Sequence, residues 1–393
     1  MISVEEARAQ IAAALSSLST ETVTAARAFG RTLSQDVVAN RSQPPSAVSA
    51  MDGYAVRSAD LGKGTFTMRG ESRAGAGLDT PIGEMQAVRV STGARIPEGS
   101  DQVVIQENVE ISGTTLTTDD LANPGRHVRP AGSDYEDGQL LLDAGTILSP
   151  AKVSLAAAAG FGNIPVMRRP RVAVLATGDE LVHAGETPEG DQIFNSGTPG
   201  LSALVFSIGG QPLSLGIARD DPEDVREALA SAEGADLLIT IGGASVGDHD
   251  HLRSVFTEEG GTLIFEKVRV KPGKPAWFGK LGDLPVLGLP GNPVSAMVTA
   301  RLFLVPALRT LLGQPTALAL GFETAVLSEA LEANGDRETY LRGIREGATG
   351  PVRAMAKQDS SHLAALSQAN VLIRRLPDAP PCNAGDTVEV MPL

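Results

Sequence analysis

From Arg168 to Gly313 the chain repeats one unit: a short apolar run, a loop rich in Gly or Asp, then a stretch with helical spacing. The apolar runs are Val172–Ala176, Leu213–Ala218, Leu237–Ile241 and Val286–Leu289; the helical stretches are Gly200–Ile208, Pro222–Ala232, Leu252–Glu259 and Val294–Leu312. Strand, crossover helix and strand in repetition predict a doubly wound parallel sheet, because parallel neighbours can be joined only by a crossover. Ligands of such sheets bind beyond the carboxyl ends of the strands, where loops and helix amino termini converge. Four loops should therefore share one rim: Thr177-Gly-Asp-Glu180, Arg219-Asp-Asp221, Gly242-Gly-Ala-Ser-Val-Gly-Asp-His-Asp250 and Leu289-Pro-Gly-Asn-Pro293.

The flanking segments follow other rhythms. Ser3-Val-Glu-Glu6 is a capping box, and Ala7, Ile11, Leu15 and Leu18 continue it at helical spacing. From about Asn40 to Gly145 short strand-like runs alternate with Gly, Pro and Asp turns, after which Ser149-Pro150 caps a second helix over Ala151–Ala159. The two helices are expected to pack together, making the β-rich stretch of about 40–145 an insertion in a helical unit of residues 1–167. Gly313-Gln-Pro315 reads as a linker, and residues 316–393 return to strand runs with turns at Asn334-Gly335 and Pro377–Pro381. The expected fold class is thus multidomain α+β and α/β: the amino-terminal unit, an α/β domain over 168–313, and a small carboxyl-terminal β domain over 316–393.

A formal net charge of -14 excludes broad electrostatic binding to nucleic acid or to an anionic membrane. With aromatics at 4%, platforms for base stacking are few. A lone Cys382 can form neither an internal disulfide nor a thiolate cluster, which fits a reducing compartment. The acidic Met1–Glu6 terminus does not resemble a signal peptide, and the long uncharged stretches Val153–Met167 and Gln192–Ala218 are too interrupted to span a bilayer. The expected setting is the cytoplasm, with no nucleic-acid or membrane partner. His127, His183, His249, His251 and His362 show no zinc-ligand spacing, and no nucleophile elbow occurs.

At the rim, Gly242–Gly247 is either a tight connection or a cradle of backbone N–H groups for phosphate. Glu180, Asp220, Asp221, Asp248 and Asp250 are either a solvated acidic edge or hard oxygen ligands for Mg²⁺, which takes one or two carboxylates and leaves the rest of its shell to water and substrate phosphate. The lysines favour the second alternative in each case. Four of the seven in the chain, Lys267, Lys271, Lys274 and Lys280, fall within fourteen residues, and Lys271-Pro-Gly-Lys-Pro275 holds two ammonium groups in a segment stiffened by proline. That is a suitable site for an oxyanion.

Six segments together resemble the molybdopterin molybdenumtransferases of the MoeA type, related to the E domain of gephyrin. They are Ser49-Ala-Met-Asp-Gly-Tyr-Ala55, Ser91-Thr-Gly-Ala94, Thr177-Gly-Asp-Glu-Leu181, Gly242–Asp250, Lys271-Pro-Gly-Lys-Pro275 and Gly288-Leu-Pro-Gly-Asn-Pro-Val-Ser295, in the family's order. The resemblance implies a middle domain that binds molybdopterin, a carboxyl-terminal β-barrel, and a homodimer whose cleft lies between the middle domain of one chain and other domains of its partner. It implies Mg²⁺-assisted insertion of molybdenum from molybdate into adenylylated molybdopterin, with release of AMP. An adenylyltransferase would hand that substrate over. The residues implied at the cleft are Asp52, Thr92, Asp134 with Asp137 nearby, Glu180 and Asp250, with Glu180, Asp220 and Asp250 toward the metal. Gly242, Gly243, Ser245, Lys271, Lys274, Pro290, Pro293 and Ser295 would hold the pterin phosphate or molybdate, with Arg342 and Ser361, next to Ser360, facing molybdate from the last domain. The alternatives are a gephyrin-like scaffold and a molybdate or pterin-nucleotide binding module without turnover.

Overall fold

The computed structural model describes residues 1–243, 251–314 and 320–393. Its centre is a six-stranded sheet ordered Gln211–Ala218, Arg171–Thr177, Leu237–Ile241, Leu284–Leu289, Trp277–Leu281, Thr262–Phe265. The first four strands run parallel and carry all four predicted apolar runs. The last two are antiparallel, so the sheet is mixed and not wholly parallel as the alternation suggested. Only Gly282-Asp283 separates Trp277–Leu281 from Leu284–Leu289, and a two-residue connection makes a hairpin.

Alternating side chains of these strands feed two cores. Val172, Val174, Leu237, Ile239, Leu287 and Leu289 face Gly197–Ser207 and Pro293–Leu311, while Ala173, Leu175, Leu238 and Val286 face Pro222–Ala230 and Leu252–Glu258. Pro293–Leu311 is one continuous helical run with a π turn at Ala300–Leu304, and it is long and apolar enough to cross a membrane by length and composition alone, although it holds Arg301 and Arg309. An 18-residue window of it has a mean hydropathy of 1.4, and 78% of that window is buried inside the protein, which accounts for its apolarity.

The helix Val4–Ala14 forms with the complete capping box. Val4, Ala7 and Ile11 do not meet the second helix; they enter the core of the central sheet, beside Leu304, Val305 and Leu308. The second helix, Pro150–Ala158, packs instead with Leu33, Val37, Leu142 and Ile164 in a separate core. Helical spacing specifies an apolar stripe but not its partner, which is why the expected pairing fails.

Within the amino-terminal region lies a second six-stranded sheet, ordered Gln102–Ile105, Gly53–Val56, Gln86–Val90, Phe66–Ser72, Thr115–Thr118, Val109–Ser112. A third sheet runs Val270–Lys271, Glu338–Arg345, Val371–Arg375, Thr387–Pro392, Glu323–Val326, with Val352–Ala354 beside Glu338–Arg345. A bridge between Leu327 and Val352 curls this sheet back on itself around Leu327, Val352, Ile373 and Val390.

The burial of Ile11 (1% exposed) in the central core generates a prediction. Ile11→Ala should destabilise the central sheet by about 2–5 kcal/mol, read as a lower denaturant midpoint in the fluorescence of Trp277, the chain's single tryptophan. An unchanged midpoint would contradict the packing of this helix on the sheet.

Candidate functional site

The parallel strands end level: Thr177 pairs with Ala218, Ala176 with Ile241, and Ile241 with Leu289. Backbone bonds continue the ladder one step into the loops, Gly178 N–H to Ala218 O and Gly242 N–H to Leu289 O, both 3.1 Å. A cavity of about 570 Å³ opens at that edge. It gathers Glu180, Asp220, Gly242, Gly243, Pro290 and Pro293 from the predicted site residues, joined by Thr177 and Asn292.

Close backbone approach explains the glycines. A Cβ on Gly242 would sit 2.7 Å from the Thr177 carbonyl oxygen, and one on Gly243 would meet the Cβ of Leu252 at 2.5 Å. Gly178 has φ +146, and a side chain there would displace the Glu180 carboxylate that lies over it. Glu180 is exposed, and Asp220 is half-buried with its N–H donated to the Asp179 carboxylate at 3.2 Å. Two rim carboxylates match Mg²⁺, which binds few protein oxygens and completes its shell with water and phosphate. Among the described residues no cluster of three or more His, Cys, Asp or Glu offers a full metal cage. Asp250 and Ser245, with Asp248 and His249, lie outside the described residues, as does Pro315 of the expected linker.

Lys271 and Lys274 are exposed beside this rim, and Pro275, the next residue, lines the cavity. Val270–Lys271 is a strand of the third sheet, paired with Glu338 and Thr339. Gly273 fits against Thr299 with no room for a side chain. Ser295 is buried, and its carbonyl accepts from the Thr299 hydroxyl at 2.6 Å.

The last domain reaches the cavity through Ser360. Asn292 Nδ2 donates to Ser360 Oγ at 3.1 Å, and Val294 N–H donates to the Ser360 carbonyl at 3.3 Å. Ser361 instead donates its hydroxyl to Asp359 at 2.6 Å and lines a separate cavity of about 660 Å³. That bond holds the Asp359 carboxyl below the usual carboxylate range. Arg342 is buried (1% exposed), and its guanidinium donates to the carbonyls of Lys357 and Asp359 at 2.9 and 3.1 Å. Rather than facing the cavity, it fixes the loop that carries Ser360 and Ser361.

Asp52, Thr92 and Asp134 do not line the central cavity. Asp52 precedes the strand Gly53–Val56, and Gly53 is required less by a turn than by the Val104 carbonyl, which a Cβ would overlap. Its carboxylate accepts from Thr92 N–H at 2.6 Å and Thr92 Oγ1 at 3.0 Å, and both bonds lower its pKa from the ordinary value. Asp134, not Asp137, lines another cavity of about 610 Å³ with Arg73, Arg95 and Arg129. Sequence reasoning missed the wall Ile193–Gly197 and the Asn292–Ser360 bond. Asn195, whose side chain accepts from Thr198 N–H at 3.1 Å ahead of the helix Gly197–Ser207, was a legible capping signal.

Family profiles match in three successive segments: the MoeA N-terminal region (domain I and II) over residues 2–160, a probable molybdopterin binding domain over 173–310, and the MoeA C-terminal region (domain IV) over 324–393. A protein of Haemophilus influenzae named molybdopterin molybdenumtransferase is 33% identical over 399 residues, covering 100% of this chain and 98% of its own. The chain belongs to the MoeA family. It is thereby an enzyme of molybdenum cofactor biosynthesis. Molybdopterin molybdenumtransferase 2 of Mycobacterium tuberculosis is 33% identical over 405 residues, with 100% of both chains covered. The fold agrees with a crystal structure of the molybdopterin biosynthesis MoeA protein from Pyrococcus horikoshii, with TM-score 0.86, 28% identity, 100% of this chain and 99% of that one covered. For this MoeA chain, then, the candidate residues are dispersed: Glu180, Asp220, Gly242, Gly243, Pro290 and Pro293 line the central cavity, Asp52, Thr92 and Asp134 lie in the amino-terminal region, and Arg342 and Ser361 lie in the last domain.

The Asp52–Thr92 contact predicts a measurable titration. A lowered carboxyl pKa means that the contact is fully present above the ordinary carboxylate range and lost as pH falls through the lowered value. Thr92→Val, which removes one of the two donors, should raise the Asp52 pKa toward the ordinary value in carboxyl-carbon NMR; an unmoved pKa would contradict the assigned cause.

Proposed function

We propose that this chain inserts molybdenum from molybdate into adenylylated molybdopterin and releases AMP. The observation that carries the proposal is the single cavity in which the Gly-rich loops, two rim carboxylates and the proline loop meet beside Lys271 and Lys274. A substrate with a diphosphate needs N–H donors without intervening side chains; Gly243 can offer one, whereas the Gly242 N–H is engaged by the Leu289 carbonyl. Molybdate is a dianion approaching a chain of net charge -14, and screening over about 8 Å at physiological salt means that only nearby cations can attract it. Two ammonium groups on one braced segment meet that need. Arg342 contributes by holding residues 357–361, which place Ser360 on Asn292.

Mg²⁺ would be held by Glu180 and Asp220, with Asp250 as a further donor, and when bound it supplies charge neutralisation at the diphosphate. Glu180 and Asp220 themselves orient that end of the substrate at the rim. Asp52, Thr92 and Asp134 belong to the same reaction through a homodimer in which one chain presents them to the partner's rim; their absence from the lining of the central cavity within one chain supports this arrangement. The substrate would come from an adenylyltransferase, and the half-buried single thiol of Cys382 fits a cytoplasmic setting.

Molybdate-dependent AMP release from adenylylated molybdopterin, with molybdenum retained on the pterin, is the expected result. Ligand binding without AMP release would favour a binding module or scaffold instead. Glu180→Gln should lower AMP release by about a hundredfold, and Lys274→Ala should raise the molybdate needed for half-maximal turnover by about tenfold to a hundredfold, the loss of one charge-assisted contact. An unchanged molybdate requirement in both Lys271→Ala and Lys274→Ala would place the oxyanion elsewhere.

A further inference from the structure

One wall of the central cavity differs from the rest. Leu181–Val182 and Ile193–Phe194 form a two-stranded parallel ribbon, and Ile193 and Phe194 line the cavity while remaining 55% and 48% exposed. Among the described residues three phenylalanines are this exposed, Phe29, Phe194 and Phe206, and of them Phe194 alone faces this cavity. The ribbon is braced at both ends. Ile193 N–H donates to the Glu180 carbonyl at 2.7 Å and Asn195 N–H to the Val182 carbonyl at 2.8 Å, while Gly197 sits so close to Ile241 that a Cβ would touch its side chain at 3.0 Å. The backbone that carries Phe194 is thereby fixed beside the backbone of Glu180.

Other residues of the lining are polar. Thr177 is buried, 6% exposed, and its hydroxyl has no hydrogen-bond partner among the described residues; it lies against Gly242, where a Cβ would come within 2.8 Å of it. A buried hydroxyl without a partner is costly and is relieved by a ligand that brings a donor or acceptor. The cavity thus suits a molecule with a flat apolar face for the ribbon, a hydrogen-bonding edge for the floor and an anionic end for the rim.

We propose that Phe194 is the stacking platform of the site, holding a fused bicyclic nitrogen heterocycle face to face with its ring. This assignment rests on the transfer reaction proposed above, whose substrate carries two such heterocycles, the adenine and the pterin. Offset stacking on an aromatic ring is strong and independent of ring substituents, so it fixes the plane of the heterocycle while the rim reads the phosphates. Phe194 acts in binding and orientation.

The test uses two probes on the full chain, AMP by calorimetry and 6-hydroxymethylpterin by fluorescence quenching, with Phe194→Ala, Phe194→Leu and Phe194→Tyr. Phe194 is half exposed, so unchanged melting temperatures verify that the variants fold. The expected result is that wild type and Phe194→Tyr bind one probe equally well, while Phe194→Ala and Phe194→Leu bind it about tenfold or more weakly. The probe that weakens identifies the stacked ring as adenine or pterin. In turnover the same two variants should raise KM for the pterin nucleotide more than they lower kcat. Wild-type affinity for both probes in Phe194→Ala, full affinity in Phe194→Leu, or no binding of either probe by wild type would each overturn the proposal. Loss of probe binding in Phe194→Ala alongside a wild-type chain that releases no AMP would keep the platform and reject the transfer reaction.

Discussion

The site depends on the register of three parallel strands. Arg171–Thr177, Leu237–Ile241 and Leu284–Leu289 pair so that Ala176, Ile241 and Leu289 stand in one row, and the ladder continues into Gly178 and Gly242. The loops that follow must then emerge at one height, which brings Glu180, Gly242 and Pro290 to one cavity. A slip of one residue would exchange the two faces of a strand, moving Val172 and Val174 out of one core and Ala173 and Leu175 out of the other. Burial on both faces excludes that slip, so the hydrophobic effect that folds the sheet also aligns the chemistry.

A second constraint ties the domains to this rim. The lysine segment leaves the central domain as a strand of the third sheet, and Ser360 returns from that sheet to Asn292 at the cavity wall. Near the same junction Glu338 accepts from the Tyr340 hydroxyl and from Arg374, both at 2.6 Å, and burial together with the Glu338 charge raises the Tyr340 pKa well above its ordinary value. A buried, satisfied network of this kind fixes relative geometry. The backbone of Lys271 is consequently pinned to the third sheet, next to the Val270–Glu338 pair.

Much of this was legible in the sequence because the central domain obeys strong local rules. Its four parallel strands, their helices and the rim loops follow from apolar runs punctuated by glycine, and Glu180, Asp220, Gly242, Gly243, Pro290 and Pro293 do converge. What was not legible depends on tertiary choice. The partner of the helix Val4–Ala14, the antiparallel hairpin at Gly282-Asp283 and the inward turn of Arg342 are decided by which surface is available to be covered. Phe194 escaped notice for the same reason: two apolar residues in a polar stretch have no periodicity, and only the ribbon shows that they face a cavity. The separation of Asp52 and Thr92 from the rim is likewise invisible in a motif list, since motif order carries no distances.

That separation bears on the central claim, that one reaction site is assembled from the rim of one chain and the amino-terminal sheet of another. Complementation in mixed dimers tests it most directly. Asp52→Ala and Glu180→Ala homodimers should each release almost no AMP, whereas subunits exchanged in equal amounts should recover about a quarter of wild-type turnover, because half of the dimers are mixed and each mixed dimer contains one intact site. If the exchanged mixture stays as inactive as the separate variants although mixed dimers are shown to form, the site is not shared between chains and the account is contradicted.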